Sequence, residues 1–416
     1  MNKKNNEIKF YGSPIRNSYQ KTPKISNSWS LCGMLFLLTA ILILSLQSAV
    51  NAGMPAESKL YKKFIKLPAD AQNSSFELKR LMRAEIKSGT CEVETYILMA
   101  IAELADGDVE LFMRNVKKAN KLRFYKFQPF PLAKYEPFVN HFVNVLRNSR
   151  ELHNRSEIYP NSSMIFFQFA MLCREFDKKF AILNLKRAIN LYDDFLDAHL
   201  KLAELYEECM DYNRAIGEWG KIMQIRPYDF RPYYKICHLA TKMGDFTIGE
   251  EIYEKGKRKK ESLHEHKEFQ EVIEALVADI PRLREERKIA VEKLVKIKEL
   301  VQNDPLNIDA LLEASEVYYN TLCDIKQAEQ ACVKAIHVDQ LNYKPHLLYS
   351  KILWTLGETD KAYEELLFTT LEGGEKVKNA YITELIDLCE KKLISDMVQN
   401  KLKMVDLINY FSIYYQ

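Results

Sequence analysis

"LYEECMDYNRAIGEWGKIMQIRP", residues 205–227, holds no set of side chains capable of obvious chemistry. It does place a small residue, Ala215, four positions before an aromatic, Trp219, and it ends on Pro227. The wider pattern reads His199-x2-Leu202-Ala203-x2-Tyr206, Ala215-x3-Trp219, Ile222 and Pro227. Moved on by 34 residues, it returns as Tyr233-x2-Ile236-Cys237-x2-Ala240, Asp245-Phe246, Gly249-x3-Tyr253 and Gly256. Moved back by 34, Ala181-x3-Leu185-x2-Ala188 keeps the spacing, and Ala328-x3-Cys332-x2-Ala335 precedes Ala362-x3-Leu366 by 34 again. Three such intervals make a repeat.

The residue types have a physical reading. Small residues such as Ala203 and Ala215 suit places where two antiparallel helices approach closely, and aromatics such as Tyr206 and Trp219 fill the space between one pair and the next. Asp211-Tyr212 and Gly244-Asp245-Phe246 mark turns, and Pro227 and Pro305 stop second helices. The pattern resembles the tetratricopeptide repeat (TPR), a 34-residue helix-turn-helix with a W-x2-L-G-x2-Y…A-x3-F…P skeleton. That resemblance implies an all-α protein, an α-solenoid of stacked TPR-like repeats. The match is fullest at 196–227 and 230–260 and partial at 162–195, 309–342 and 343–372. An outlying copy runs from Tyr96 to Ala119, with Phe112 where a small residue is usual.

The 416-residue chain is 47% apolar and has only 13 Gly and 13 Pro, which suits helices rather than a turn-rich β-protein. A net charge of +3 is too small to suggest a nucleic-acid binder. Six of the cations fall within the first 24 residues against one acid, Glu7, which leaves the remainder near −2. No charged residue occurs from 25 to 56, and "LCGMLFLLTAILILSLQSAV", residues 31–50, is long enough to cross a bilayer as a helix. Trp29 stands at its entry, where an indole favours the headgroups. A single N-terminal transmembrane helix, acting as a signal anchor, is expected, with cleavage after Ala52 as the rival. The upstream cations place the N-terminus in the cytoplasm and the bulk of the chain outside it, in a periplasmic, luminal or extracellular space.

The expected organisation follows. Residues 1–30 read as a basic disordered tail and 31–51 as the transmembrane helix. Residues 52–90 read as a linker and first helix, and 91–160 as a degenerate first repeat with an aromatic connector. Three TPR-like repeats follow at 162–260, an elongated helix pair split at Ile280-Pro281 at 261–305, two repeats at 307–372, and capping helices at 375–416. The 261–305 segment has a second reading, a coiled-coil hairpin for self-association. "RFYKFQPFPLAKYEPF", residues 123–138, reads either as a packed connector or as an exposed aromatic platform. The terminal aromatics Tyr410, Phe411, Tyr414 and Tyr415 are expected to fold back or find a partner, since rings left in water are costly.

Catalytic signatures are missing. There is no P-loop, dinucleotide fingerprint or nucleophile elbow. "LHEHKEF" begins like a zinc protease helix but has Glu268 where the second His belongs, and His264 and His266 point to different faces. The eight Cys form no C-x-x-C; Cys237 and Cys332 hold packing positions, as small buried hydrophobes. Asn73, Asn154 and Asn161 open N-x-S triplets, which matter only in a secretory pathway. No enzyme, metal, cofactor, small-molecule substrate or nucleic-acid partner is expected.

What the resemblance implies instead is a groove lined by first helices that holds peptides or partner helices. Its candidate residues here are Glu204, Glu207 and Glu208, an acidic stretch suited to a basic partner, followed by Tyr234 and His238, then a more basic stretch of Lys242, Lys351 and Trp354. Some family members clamp a C-terminal carboxylate with Lys and Asn. The corresponding positions here hold Leu200 with Glu204 and Tyr234 with His238, a departure from that mode. The expected function is a membrane-anchored protein–protein interaction scaffold, with an accessory or co-chaperone subunit as the alternative.

Overall fold

Two devices recur in the intra-repeat turns. An aspartate caps the second helix: Asp108, Asp177, Asp211, Asp245 and Asp324 each accept from the backbone N–H three residues on, a contact worth about 1 kcal/mol. A left-handed residue precedes most of these caps: Gly107, Met210, Gly244 and Cys323, with Gly357 before Glu358. Glycine adopts this geometry freely, whereas Met210 and Cys323 do so at a cost of about 1–2 kcal/mol each. The 34-residue spacing is therefore a spacing of turns as much as of helices.

The computed structural model describes residues 58–122, 130–258 and 266–412, all within one compact unit, Ala49–Gln416. The 31–50 segment, the basic tail, residues 123–129, the side chains of His264 and His266, and Tyr414-Tyr415 lie outside that description. Among the described residues there is no strand, and no helix is long and apolar enough to cross a membrane.

Three leading helices, α1 (Lys59–Phe64), α2 (Ala69–Asn73) and α3 (Ser75–Ser88), precede the first hairpin, α4 (Val93–Ala105) and α5 (Val109–Leu122). A single long helix, α6 (Leu132–Ile158), follows. Three hairpins come next: α7 (Ser163–Cys173) with α8 (Lys178–Leu191), α9 (Leu196–Glu208) with α10 (Tyr212–Ile225), and α11 (Arg231–Met243) with α12 (Phe246–Arg258). Then come α13 (His266–Asn303), the hairpins α14 (Ile308–Glu316) with α15 (Ile325–Val338) and α16 (Tyr343–Thr355) with α17 (Thr359–Glu372), and finally α18 (Gly374–Val398) and α19 (Met404–Ser412). A π-helical turn, Val317–Thr321, extends α14.

The expected small residues lie at the crossings. Ala181, Ala203, Ala215, Ala328, Ala335 and Ala362 are all fully buried, and Trp219 and Tyr206 are nearly so. At Gly249 an added Cβ would stand 3.2 Å from the Thr241 methyl, closer than packed carbons settle.

One expected boundary is different. The 261–305 segment is not a pair of helices, because α13 runs through Pro281 as one helix of 38 residues. Proline removes one backbone donor, but its cost is local, and the stripe of Ile273, Ile280, Ala290, Leu294 and Ile297 stays buried on both sides of it. Burial on one continuous face outweighs the lost hydrogen bond.

The larger departure from an open superhelix is that the array doubles back. Helices α14–α17 form a second arm whose turns meet the turns of α7–α12. Arg287 of α13 donates to the carbonyls of Lys242 and Leu322, both at 3.3 Å. Met210 packs against the Ile325–Ile352 cluster, and the Cys323 thiol lies against the Tyr212 hydroxyl. Lys179 pairs with Glu358. Beyond the second arm, α18 lies on α6, and α19 lies on α1, α2 and α4. Asp177 Oδ2 accepts from Ser395 and Gln399 at 2.6 Å each.

Aromatic residues lock that return. Phe112, Phe130, Tyr135, Phe138, Tyr410 and Phe411 form one buried cluster with ring centroids 4.5 to 6.4 Å apart, and the Tyr135 hydroxyl donates to the Phe411 carbonyl at 3.0 Å. The described part of the aromatic connector is thus packed, and Phe112 is large because a C-terminal ring meets it there. Tyr410 and Phe411 fold back as hydrophobicity requires.

Candidate functional site

Of the first-helix residues singled out from sequence, the fold brings Glu208 and Trp354 together through Lys178. Glu204, Glu207 and Glu208 stand on α9, Tyr234, His238 and Lys242 on α11, and Lys351 and Trp354 on α16. Lys178, the first residue of α8, links the arms. Its ammonium is 3.7 Å from Glu208 Oε2 and 5.4 Å from the centre of the Trp354 ring. Lys391 of α18 also lies over the Trp354 ring, at 4.5 Å. A tryptophan with two ammonium groups over its ring gains cation–π attraction from both. Next to it, Thr355 and Tyr319 share a hydrogen bond of 2.7 Å between hydroxyls.

The acidic stretch is neutralised from within. Arg174 pairs with Glu204 at 3.0 Å and Glu208 at 2.7 Å, and Lys201 adds a second contact to Glu204 at 2.9 Å. Glu207 accepts from the Trp219 indole at 2.6 Å and from Lys235 at 2.8 Å. Each glutamate thus has at least one cation of its own, which leaves little field for a basic partner.

The cations at the same wall are less committed. Lys242 is exposed, 5.9 Å from the Tyr212 ring centre, and neither it nor exposed Lys351 has an acidic partner among the described residues. His238 stacks on Tyr234 with centroids 5.7 Å apart. Burial, and after it the charges of Lys242 and Lys235, lower its pKa below the ordinary value, so the ring is neutral at neutral pH. Lys242 and Lys351, exposed and without an acidic partner, and the neutral His238 imidazole can meet anionic groups, and among the described residues here there is no nucleophile–base pair.

The sequence pattern missed the residues that neutralise or bridge: Arg174, Lys178, Lys235 and Lys391. Lys178 was the most accessible of them, since Lys178, Tyr212 and Phe246 hold the same place after a capping aspartate at 34-residue steps. The pattern also missed a motif that occurs twice. His199 faces Glu218 Oε2 at 2.7 Å through Nδ1 and the Asp193 carbonyl at 2.7 Å through Nε2. His346 meets Glu365 and, at 3.1 Å, the Gln340 carbonyl in the same way. Both ring nitrogens of each face acceptors. These are structural pairs, with both rings buried inside hairpins.

The three N-x-S asparagines, Asn73, Asn154 and Asn161, are exposed. The seven cysteines among the described residues are free thiols, and burial pushes Cys237 up to about 11 and Cys332 up to about 12, as inert packing residues. Among the described residues no group of acids, histidines and cysteines could hold a metal ion.

No family model matches the sequence, and no curated protein matches it. Solved structures do. The chain is similar to the P58(IPK) TPR domain at 12% identity over 77% of this chain and 93% of that one, with a TM-score of 0.27. It is similar to a tetratricopeptide repeat protein from Parabacteroides merdae at 14% identity over 71% of this chain and 98% of that one, with a TM-score of 0.22. A third is YrrB, described as a TPR protein with an unusual peptide-binding site, at 11% identity over 56% and 97% of the two chains and a TM-score of 0.20. The repeat architecture of this chain rests on its own helices and spacings.

Proposed function

We propose that this chain is a protein-binding scaffold, without catalysis of its own, that docks acidic segments on the first-helix wall between its two arms. The observation that carries this reading is the asymmetry of charge there: Glu204, Glu207 and Glu208 are all paired, whereas Lys242 and Lys351 are exposed without an acidic partner among the described residues. An incoming carboxylate meets available ammonium groups, while an incoming cation must displace an existing pair.

Calorimetry of the full-length chain with a glutamate-rich peptide and a lysine-rich twin is the test. The glutamate-rich peptide binds, and Lys242→Glu with Lys351→Glu weakens it roughly three- to tenfold, more so at low ionic strength. Tighter binding of the lysine-rich peptide would reverse the reading.

The scaffold is held at a membrane through residues 31–50, with the repeats outside the cytoplasm. This part of the proposal rests on the charge-free window from 25 to 56 and the cations before it. Alkaline carbonate leaves an anchored chain in the membrane pellet, and full-length protein in the supernatant refutes the anchor.

A further inference from the structure

The last helix, α19, closes the array, and among the described residues two side-chain polar contacts join it to α18. In its first turn, Asp406 Oδ2 stands 4.0 Å from the Lys392 ammonium. One turn on, the Tyr410 hydroxyl donates to Glu390 Oε1 at 2.5 Å. Each contact involves a carboxylate, and both carboxylates are partly buried. Tyr410 itself belongs to the aromatic cluster, its ring centre 4.5 Å from Phe138 and 5.4 Å from Tyr135. Whatever loosens α19 uncovers those rings.

Neither carboxylate has a cation to itself. Lys392 is nearer to Asp396, at 2.7 Å, and it also faces Asp360 and Glu364 of α17. Lys403, which precedes α19, is exposed and makes no ion pair among the described residues. The Tyr363 hydroxyl of α17 and the Cys389 thiol of α18 face Asp406 as neutral groups. Around Glu390 stand Asp387 and Lys391 of the same helix and His141 of α6. Lys391 is engaged elsewhere, with Asp387 at 2.6 Å and with the Trp354 ring. From α1, α2 and α4, which also pack on α19, Lys63 and Glu103 pair with other residues, and Lys59, Lys62 and Asp70 are exposed. A partly desolvated carboxylate that shares its cation, or has none, is disfavoured in its charged form. Burial accordingly raises the Asp406 pKa above the ordinary carboxylate value, opposed by Lys392 and Lys403 and helped by Asp396. Burial raises that of Glu390 too, opposed by the Tyr410 hydroxyl, His141 and Lys391 and helped by Asp387.

We propose that the junction of α18 and α19 is a pH-sensitive latch: α19 docks most tightly when Glu390 and Asp406 are protonated, and it loosens as they ionise. In a released α19 both groups return to water and titrate at ordinary values. Between the ordinary and the raised values the docked state binds more protons than the released one, so docking weakens as pH rises through that interval. The Tyr410 contact survives the change of charge, since a protonated carboxyl keeps an oxygen that accepts from the hydroxyl. What ionisation adds is the cost of holding charge away from water. Loosening uncovers Tyr410, Phe411 and the α6 rings packed on them, so the latch couples pH to the exposure of an apolar surface.

Hydrogen exchange on the purified full-length chain from about pH 4 to about pH 7, corrected for the intrinsic rate at each pH, tests this. Protection of α19, measured against that of α12, falls about three- to tenfold as the pH rises. The chain carrying Glu390→Gln with Asp406→Asn shows a flat profile. Both substitutions are uncharged and keep the side-chain shape, with circular dichroism as the control for folding. If the double variant does not fold, Glu390→Gln alone still removes part of the slope. Wild-type protection that stays flat overturns the proposal. Protection that rises with pH also overturns it, and makes the Lys392–Asp406 ion pair the contact that holds the helix. A slope that survives in the substituted chains overturns it as well, by placing the titrating group elsewhere.

Discussion

Thr359 donates its hydroxyl to the backbone carbonyl of Phe176 at 3.1 Å, across 183 residues of chain. One residue opens the second helix of the last hairpin, and the other lies in the turn between α7 and α8. With Arg287 on the Lys242 and Leu322 carbonyls at the other end, this contact defines a seam of turns against turns. Backbone carbonyls at the ends of helices need donors, and here each arm supplies some of them to the other.

Gly244 tests the seam. It adopts φ +81°, and a Cβ there would run into the Arg287 guanidinium, with Arg287 Cδ at 2.6 Å. Gly244→Ala therefore combines left-handed strain with displacement of Arg287, for an expected loss of about 1–3 kcal/mol. In the background of Arg287→Ala the same change should cost only the strain. A double-mutant cycle by urea unfolding reads the difference, and full additivity would show that Arg287 does not respond to the new methyl.

Phe411→Ala empties the centre of the aromatic cluster that holds α19 against the N-terminal helices. The expected cost is about 3–5 kcal/mol. Hydrogen exchange should rise in α4 and α6 as well as in α19, because Phe112 and Tyr135 lose a shared neighbour. Protection lost from α19 alone would mean that the return is a passive cap.

Stability should depend on His199 with a definite sign. Its hydrogen bond to Glu218, opposed by burial and helped by the Asp193 carbonyl, raises its pKa above the ordinary 6.5. A group raised on folding contributes fully below its unfolded pKa and loses that contribution as pH rises through the folded one. Urea midpoints should therefore fall above pH 6.5 in the wild type, and this component should vanish in His199→Gln, which is itself less stable by about 1–3 kcal/mol. A wild-type midpoint flat over that range contradicts the pairing.

Ala215→Trp overpacks a closed helix crossing, since Ala215 has no exposed surface. A loss of about 1–3 kcal/mol is expected, and it should spread to α8 and α11, which pack against the same hairpin. Thermal melting and helicity reads it, and an unchanged melt would put the repeat in another register.

How much was legible depends on the range of the interaction. The repeat could be read from Ala215, Trp219 and Pro227 because helix pairing within a hairpin is a contact between residues a few turns apart, and close approach demands small side chains at a fixed period. The eight candidate wall residues could be placed on first helices for the same reason. Their charge state could not. Glu208 looks available in sequence, and only the fold brings Arg174 and Lys178 to it.

The sequence by itself determined the 34-residue repeat and the turns at Asp211 and Asp245, through small residues at crossings and an aspartate at each helix start. The tertiary structure alone decided that the array returns on itself, that α13 runs unbroken through Pro281, and that Lys178 and Lys391 both lie over Trp354. Capping and helix crossing are local and periodic, so they leave a period in the chain. The seam joins residues as far apart as Phe176 and Thr359 through a carbonyl that every residue type possesses, and a contact of that kind leaves no mark on residue identity.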